Sequence, residues 1–414
     1  MIRIEYVMKK VCIITIGEYP IPDVKGGAVE RLITMIVEDN EQNPRFEFTV
    51  LTCKNADAIE QQKRFKYTTF VNIPAYAGER AVFWSRRIHN IFNHRLHITN
   101  DVVWIKWLMS PFNRYVFKNR NRFDLFVTEG ATTDFCCTAS RFVDRNKMTM
   151  HLHVNTIANR LFERTFGNVV AVSDFIMNQY REKSNLPTRR TATIFNGIAT
   201  ENFMKQTSSE ERTALRKELG LAEDDFVVIF CGRIAKTKGV REAITAITSI
   251  DNKKIKLLLM GASKFGKGNF GEYAREIDEL VSLNSDRVMF TGYVNNDELY
   301  KYHKIADVGI IPSTYNDPCP LSMFELITSG LPTIATRAGG MTEIGTSETT
   351  MYISIENMVE DIKNSVLTLY DNKLLRQRMS AAALRRAEYF NRNRFFNDFC
   401  NVIDGFIAQN EADK

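Results

Sequence analysis

The sequence predicts an α/β protein made of two doubly wound units, and three observations carry that reading. Short β-branched or apolar runs recur along the 414 residues, each followed by a loop and a helical pattern. The order strand, glycine-containing loop, helix, strand opens at Val11 and starts afresh after residue 200, which is the βα grammar of a parallel sheet covered by helices. At ~100–200 residues per domain, the length suits two large domains.

The first strand is expected over Val11–Ile16, ending at Gly17, where a β-branched run reads as a buried parallel strand. A loop with Pro20, Pro22, Gly26 and Gly27 follows, then a helical pattern from Ala28 to Val37. Phe46–Cys53, Phe123–Thr128 and Asn168–Val172 give the next strands. The polar stretch Thr207–Asp225 reads as a linker into a surface helix. The second unit then brings Phe226–Cys231, Ile255–Met260, Arg287–Thr291, Val308–Ile311 and Thr333–Ala335, with helical patterns between. From Glu360 to Ala408 the pattern is helical, with arginines spread as on solvated packing helices.

Composition removes several function classes. With 44% hydrophobic and 25% charged residues the chain is neither disordered nor collagen-like. A net charge of +6 is too small for a dedicated nucleic-acid binder. The seven cysteines are odd in number, scattered and without a C-x-x-C pair, which argues against a disulfide or zinc framework and for a reducing compartment. No signal-peptide pattern and no run of ~18 apolar residues is present, so a cytoplasmic protein is expected.

Two phosphate-binding patterns fail on inspection. Gly261–Gly268 nearly spells a Walker A loop, but Gly268 stands where the hydroxyl for Mg²⁺ belongs. Neither opening strand is followed by G-x-G-x-x-G, which removes a nicotinamide dehydrogenase.

Three clusters remain. In the run Ile310–Glu325 a strand ends at Pro312, and a helix is expected from near Pro318, capped by Asp317, to Gly330 at C′. The amides of Leu321 and Ser322 at such a helix start would form an anion site, although an ordinary capped helix reads the same way. Asp317 and Glu325 would be about 12 Å apart if both were helical, wider than the ~5–9.5 Å of a glycosidase pair. Two carboxylates flanking an anion site suit the hydroxyls of a phosphorylated sugar compound. In Gly232–Gly239, Arg233 offers a planar fork and Lys238 a mobile point charge; together they suit a diphosphate without a metal, or a plain solvated loop. Gly26 and Gly27 permit positive φ and close backbone approach to a ligand.

Taken in order, these residues resemble the retaining nucleotide-sugar glycosyltransferases of the GT-B fold, in the glycogen-synthase-like group 1 branch. The matching features are the Gly26-Gly27 loop, G-R-x-x-x-x-K-G at 232–239, T-G-Y-V at 291–294, Asp317-x₇-Glu325, and A-G-G-M-T-E-I at 338–344. The resemblance is strong in the second half and loose in the first. It implies two Rossmann-like domains facing each other across a cleft: an acceptor domain at 1–200, and a nucleotide-sugar donor domain at 201–394. A helix at about 395–414 would pack back on the first. It further implies that Arg233 and Lys238 bind the donor diphosphate, Glu325 the ribose, the backbone at Val294 the base, and Asp317 the transferred sugar. The amides of Leu321 and Ser322 would support sugar and phosphate, and Gly27 would let its loop close over the diphosphate. His153 sits where the family places a histidine near the reacting sugar, with His151 expected on the opposite side of the strand. The family usually has Glu where Asp317 stands and Gly where Pro320 stands.

The activity so implied is metal-independent hexosyl transfer from a UDP-sugar, with retention by front-face attack. D-x-D is absent from the sequence, no metal is assigned, and no cofactor is expected beyond the nucleotide-sugar substrate itself. The acceptor would be a glycan or a lipid-linked molecule in surface polysaccharide or glycoconjugate synthesis. Residues 80–122 hold nine Lys or Arg, all three Trp and the single acid Asp101, which suits an acidic membrane surface on the cytosolic face, or a basic helix pair with its Trp in the core. The other function class that fits is a non-catalytic glycosyltransferase-like subunit binding a partner or a glycan.

Overall fold

The structure, a computed structural model, describes residues 8–15, 19–74, 111–130, 133–261 and 271–413. The chain divides into two units, residues 1–195 with 395–414, and residues 196–394.

In the first unit seven strands form one sheet: β1 (Lys9–Thr15), β2 (Phe46–Cys53), β3 (Thr68–Ile73), β4 (Leu125–Glu129), β5 (Met148–Leu152), β6 (Asn168–Ala171) and β7 (Thr191–Thr193). Their order is β3-β2-β1-β4-β5-β6-β7 and all pairs are parallel. In the second unit β8 (Phe226–Cys231), β9 (Ile255–Met260), β10 (Val288–Phe290), β11 (Val308–Ile311), β12 (Thr333–Thr336) and β13 (Thr350–Ile353) run β10-β9-β8-β11-β12-β13, again parallel throughout. In each sheet the chain order reverses beside the first strand, between β1 and β4 and between β8 and β11. Ligands in doubly wound sheets bind outside the strands' carboxyl ends at such a reversal.

Every residue of β8 is buried, as expected of a strand covered by helices on both faces. Its core neighbours include Ile244 and Ile247 from one helix and Ile362 and Val366 from another. The first helix extends to Gln42 rather than Val37. Its polar last turn hides the periodicity, but Asn40 is fully buried and clamps the turn into β2, donating to the Phe46 carbonyl at 2.9 Å and accepting from Arg45 N–H at 2.9 Å. The expected surface helix after the linker is Ser209–Glu218, opened by a reciprocal Ser208–Glu211 capping box.

The last helix, Arg392–Ala412, buries Phe395, Phe399, Ile403 and Phe406 along one stripe. Within the first unit it is also tied by Arg45–Asp404 at 2.6 Å and Arg190–Asp413 at 2.6 Å. Among the described residues the six cysteines whose side chains are placed are all buried, and no helix is long and apolar enough to cross a membrane.

Below the carboxyl end of β8 lies a buried polar lock. His303 is 1% exposed, with Nδ1 2.7 Å from Ser329 Oγ and Nε2 3.3 Å from Cys231 Sγ, and its ring stacks on Phe203. Burial, with a smaller push from Lys304, holds its pKa down to about 3. In the unfolded chain a histidine binds a proton below about 6.5, whereas folded His303 stays neutral down to about 3. The unfolded state therefore binds more protons in that window, so stability falls as pH is lowered from about 6.5 toward 3. Thermal melts of wild type and His303→Gln across this range should show a shallower acid loss in the variant.

Candidate donor site

The second unit brings four loops to the carboxyl edge of its sheet, after β8, β10, β11 and β12. The β8 loop runs Gly232–Gly239 and closes in a 3₁₀ turn, Lys236–Lys238, that ends on Gly239 with φ +67°. A Cβ at Gly239 would lie 1.8 Å from the Pro312 carbonyl oxygen, so this turn rests directly on the end of β11. Thr314 N–H donates to the Thr237 carbonyl at 3.0 Å and joins the two loops.

That contact places Lys238 against Asp317 across the point where strand order reverses. Lys238 Nζ donates to Asp317 Oδ2, and lies 3.4 Å from the Tyr315 hydroxyl and 5.2 Å from its ring centroid. The side chains of Lys238 and Asp317 are 17% and 6% exposed, so the pair is largely shielded from water and from salt screening. Gly340 N–H holds the Asp317 carbonyl at 2.9 Å, and Gly339, at φ +60°, lets that turn pass behind. Arg233 lies exposed on the same loop as Lys238, and among the described residues no ion pair or hydrogen bond occupies its guanidinium.

The helix that follows begins at Leu321, not near Pro318, and runs to Thr328, with Pro320 at the N-cap. Asp317 is therefore not its cap. The carboxylate is drawn to Lys238, 79 residues away, and local capping preference loses to that ion pair. The eight-residue spacing to Glu325 thus gives no helical distance. The C-terminal expectation holds: Gly330 sits at C′ with φ +76°, and Leu331 N–H returns to the Leu326 carbonyl at 3.0 Å. The first amides, those of Leu321 and Ser322, have no partner inside the helix, while Met323 N–H takes the Pro320 carbonyl at 3.0 Å. Glu325 is buried on this helix, 6% exposed. Val294, half-buried, lies in the loop after β10, whose Gly292 carbonyl accepts from Gly261 N–H at 2.8 Å.

Gly26, Gly27 and His153 belong to the first unit. Gly26 and Gly27 have φ of +75° and +116°, the positive values their side-chain-free backbone permits, and Gly27 caps the helix Ala28–Gln42. The Glu30 carboxylate lies where a Gly27 side chain would have to go, 2.3 Å from an added Cβ.

His153 follows β5, and here one expectation is overturned. His151 and His153 face the same way, because residues two apart on a strand share a side; their ring centroids are 4.3 Å apart. Both meet Glu129, the last residue of β4, which sequence reading missed by ending that strand at Thr128. Glu129 Oε2 is 2.6 Å from His153 Nε2 and 2.9 Å from His151 Nδ1. The second contact is at ion-pair distance but poorly aligned for a hydrogen bond, since His151 Nδ1 counts among the buried atoms without one. Burial opposes the charge on Glu129, yet the neighbouring His151 imidazole and the hydrogen bond with His153 hold its carboxyl well below the usual range. Burial, then the neighbouring His151, lowers the pKa of His153. These three are the group, among the described residues, whose possible metal-ligating atoms lie within 4.8 Å of one another. Tyr315 was likewise missed, because only the fold brings it to Lys238.

Of the basic aromatic stretch, residues 80–110, with all three Trp, lie outside the described residues. Arg114 and Lys118 are exposed on the helix Pro111–Lys118, and Arg120 lies 4.7 Å from the Phe117 ring centroid.

Residues 211–386 match the family model described as "Glycosyl transferases group 1". Spore coat protein SA of Bacillus subtilis is 21% identical over 340 residues, 81% of this chain and 82% of that protein. The lipopolysaccharide 1,2-N-acetylglucosaminetransferase of Salmonella typhimurium is 27% identical over 221 residues, 52% of this chain and 55% of that protein. Among solved structures, Anabaena Alr3699/HepE in complex with UDP aligns with a TM-score of 0.72 at 16% identity, over 96% of this chain and 100% of that one. Two parallel, helix-covered sheets and this likeness fit the two-domain α/β GT-B fold.

Proposed function

We propose that this chain, whose residues 211–386 match the glycosyl transferases group 1 family, is a retaining hexosyltransferase. It takes a UDP-sugar as donor and a glycan or lipid-linked acceptor, in the synthesis of a surface polysaccharide or glycoconjugate. The observation that carries the reading is the Lys238–Asp317 pair at the strand-order reversal, with Arg233 exposed on the same β8 loop. The Anabaena structure holds UDP, and the Salmonella relative builds lipopolysaccharide, which support the donor and the product class assigned here.

In this reading Arg233 and Lys238 face the diphosphate, joined by the Leu321 and Ser322 amides at a helix N-terminus. Glu325 takes the ribose, the Val294 backbone the base, Asp317 a sugar hydroxyl, and His153 the reacting sugar. Gly26 and Gly27 keep the backbone beside them open to the donor. The bond from the anomeric carbon to the diphosphate oxygen breaks with its electron pair going to UDP. The acceptor oxygen bonds to the same face of that carbon, and its proton passes to the departing phosphate oxygen. Negative charge grows on the diphosphate, where fixed positive charge lowers the barrier most. Two cations and helix amides supply it without a metal ion. In this reading the protein acts at the cytosolic face of a membrane, with the basic sequence of residues 80–122 as its contact.

A thermal-shift panel of nucleotide sugars in EDTA tests the proposal. The matching donor at about 100 times its Kd should add about 2.7 kcal/mol of stability, and UDP release should follow when acceptor is supplied. A panel without any shift, or activity lost in EDTA and restored by Mn²⁺, would count against it.

A further inference from the structure

Beneath His153 lies a carboxylate to which the proposed mechanism gives no task. Parallel pairing of β4 with β5 sets Glu129 opposite His151, and the period-two alternation puts His153 on the same side. Glu129 and His151 are each 2% exposed, and the His153 side chain is 14% exposed. Such a carboxylate is costly to bury unless its acceptor oxygens are used.

Two chemistries suit two imidazoles and a carboxylate: a metal ion or a shared set of protons. A metal ion holds nitrogen and oxygen ligands at roughly 2.0–2.2 Å each, and therefore spreads them roughly 3.3 Å or more apart around a tetrahedral centre. Here Glu129 Oε2 meets His153 Nε2 directly at 2.6 Å, the distance of a charge-assisted hydrogen bond. That direct contact closes the space a metal ion would need between this oxygen and this nitrogen. An ionised carboxylate only accepts, so the ring nitrogen facing it carries the hydrogen.

We propose that Glu129 is a positioning residue: it accepts the Nε2–H of His153, fixing the ring and the tautomer that leaves Nδ1 as an acceptor for a sugar hydroxyl. His151 braces the carboxylate from the other side through its 2.9 Å contact. The hydroxyl partner rests on the reading of this chain as a glycosyltransferase; the tautomer rests on geometry alone. His153 then holds an orientation without a charge of its own, and the site offers a neutral acceptor where a free histidine would sample two tautomers.

The test joins two readouts on the full chain. Nitrogen-15 NMR of ring-labelled histidines should show His153 as the Nε2–H tautomer, with assignment by His153→Gln. Glu129→Gln, whose amide still reaches Nε2, should convert or mix that tautomer, and Glu129→Asp should keep it in part. In transfer assays Glu129→Gln should lower kcat by about 10²-fold, the scale of a misplaced reacting group, with partial recovery in Glu129→Asp. UDP affinity should stay at the wild-type value, because the two cations assigned to the diphosphate, Arg233 and Lys238, lie in the second unit.

An Nδ1–H tautomer in the wild type would overturn the proposal, as would wild-type kcat in Glu129→Gln. Stoichiometric zinc binding that broadens both histidine signals would overturn it in favour of a metal site. A wild-type chain that transfers no sugar would instead refute the enzymatic reading, while the NMR result still decides the role of Glu129.

Discussion

Lys238→Ala should slow transfer by roughly 10²–10³-fold, the usual effect of removing one fixed charge from a developing anion. The same change strips Asp317 of its cation. That carboxylate is only 6% exposed, and leaving it unpaired costs about 3 kcal/mol, the low end for a buried pair because Lys238 keeps some solvent contact. Activity loss alone would therefore not separate catalysis from stability. The double variant Lys238→Ala, Asp317→Asn does so. It removes the orphaned charge, so its melting temperature should recover most of the loss while transfer stays slow. Lys238→Arg keeps the charge but offers a rigid fork in place of a point donor, and should recover stability better than rate. Kinetics and melts on the four proteins check the pattern.

Gly239→Ala has the second largest expected effect, and it acts through the backbone. At φ +67° an alanine pays roughly 1–2 kcal/mol for a left-handed conformation. Its Cβ would also lie 1.8 Å from the Pro312 carbonyl oxygen, and no rotamer change can relieve an overlap with backbone. The 236–239 turn must lift off β11 and carry Lys238 with it. Gly220 supplies the control, since it has φ +70° with nothing within 4 Å of an added Cβ. Gly220→Ala should cost only the conformational part. Gly239→Ala should melt several degrees lower than that control, at ~2–4 °C per kcal/mol, and should bind UDP weakly. Equal melting temperatures for the two variants would mean that the close approach carries no energy.

Strands covered on both faces were readable directly: β2, β8, β9 and β11 have the boundaries that their apolar runs predict. The strands whose bounds escaped reading are short, polar or at an edge. β5 reads Met-Thr-Met-His-Leu, β7 has three residues, and β3 alternates polar residues along the sheet margin. Helix starts were legible where side chain and amide are neighbours, as at Ser208. They were not legible at Asp317, whose partner is 79 residues away. Spacing alone brought Arg233, Lys238, Asp317 and Glu325 to attention, yet it gave the wrong side for His151 and no hint of Glu129 or Tyr315. The side of His151 is set by the period of two along a strand, which the opposite-side expectation misapplied. Glu129 and Tyr315 instead depend on register between strands and on loops meeting over the sheet, which no local pattern encodes.

Calorimetric titration of UDP into the full chain, in buffer with EDTA, tests most directly that the β8 and β11 loops form a metal-free diphosphate site. Saturable binding at one site per chain is predicted, at least tenfold weaker in Arg233→Ala and in Lys238→Ala, and unchanged in His153→Ala. Undiminished UDP affinity in the Arg233→Ala, Lys238→Ala double variant would contradict the account, as would binding that appears only when a divalent metal is restored.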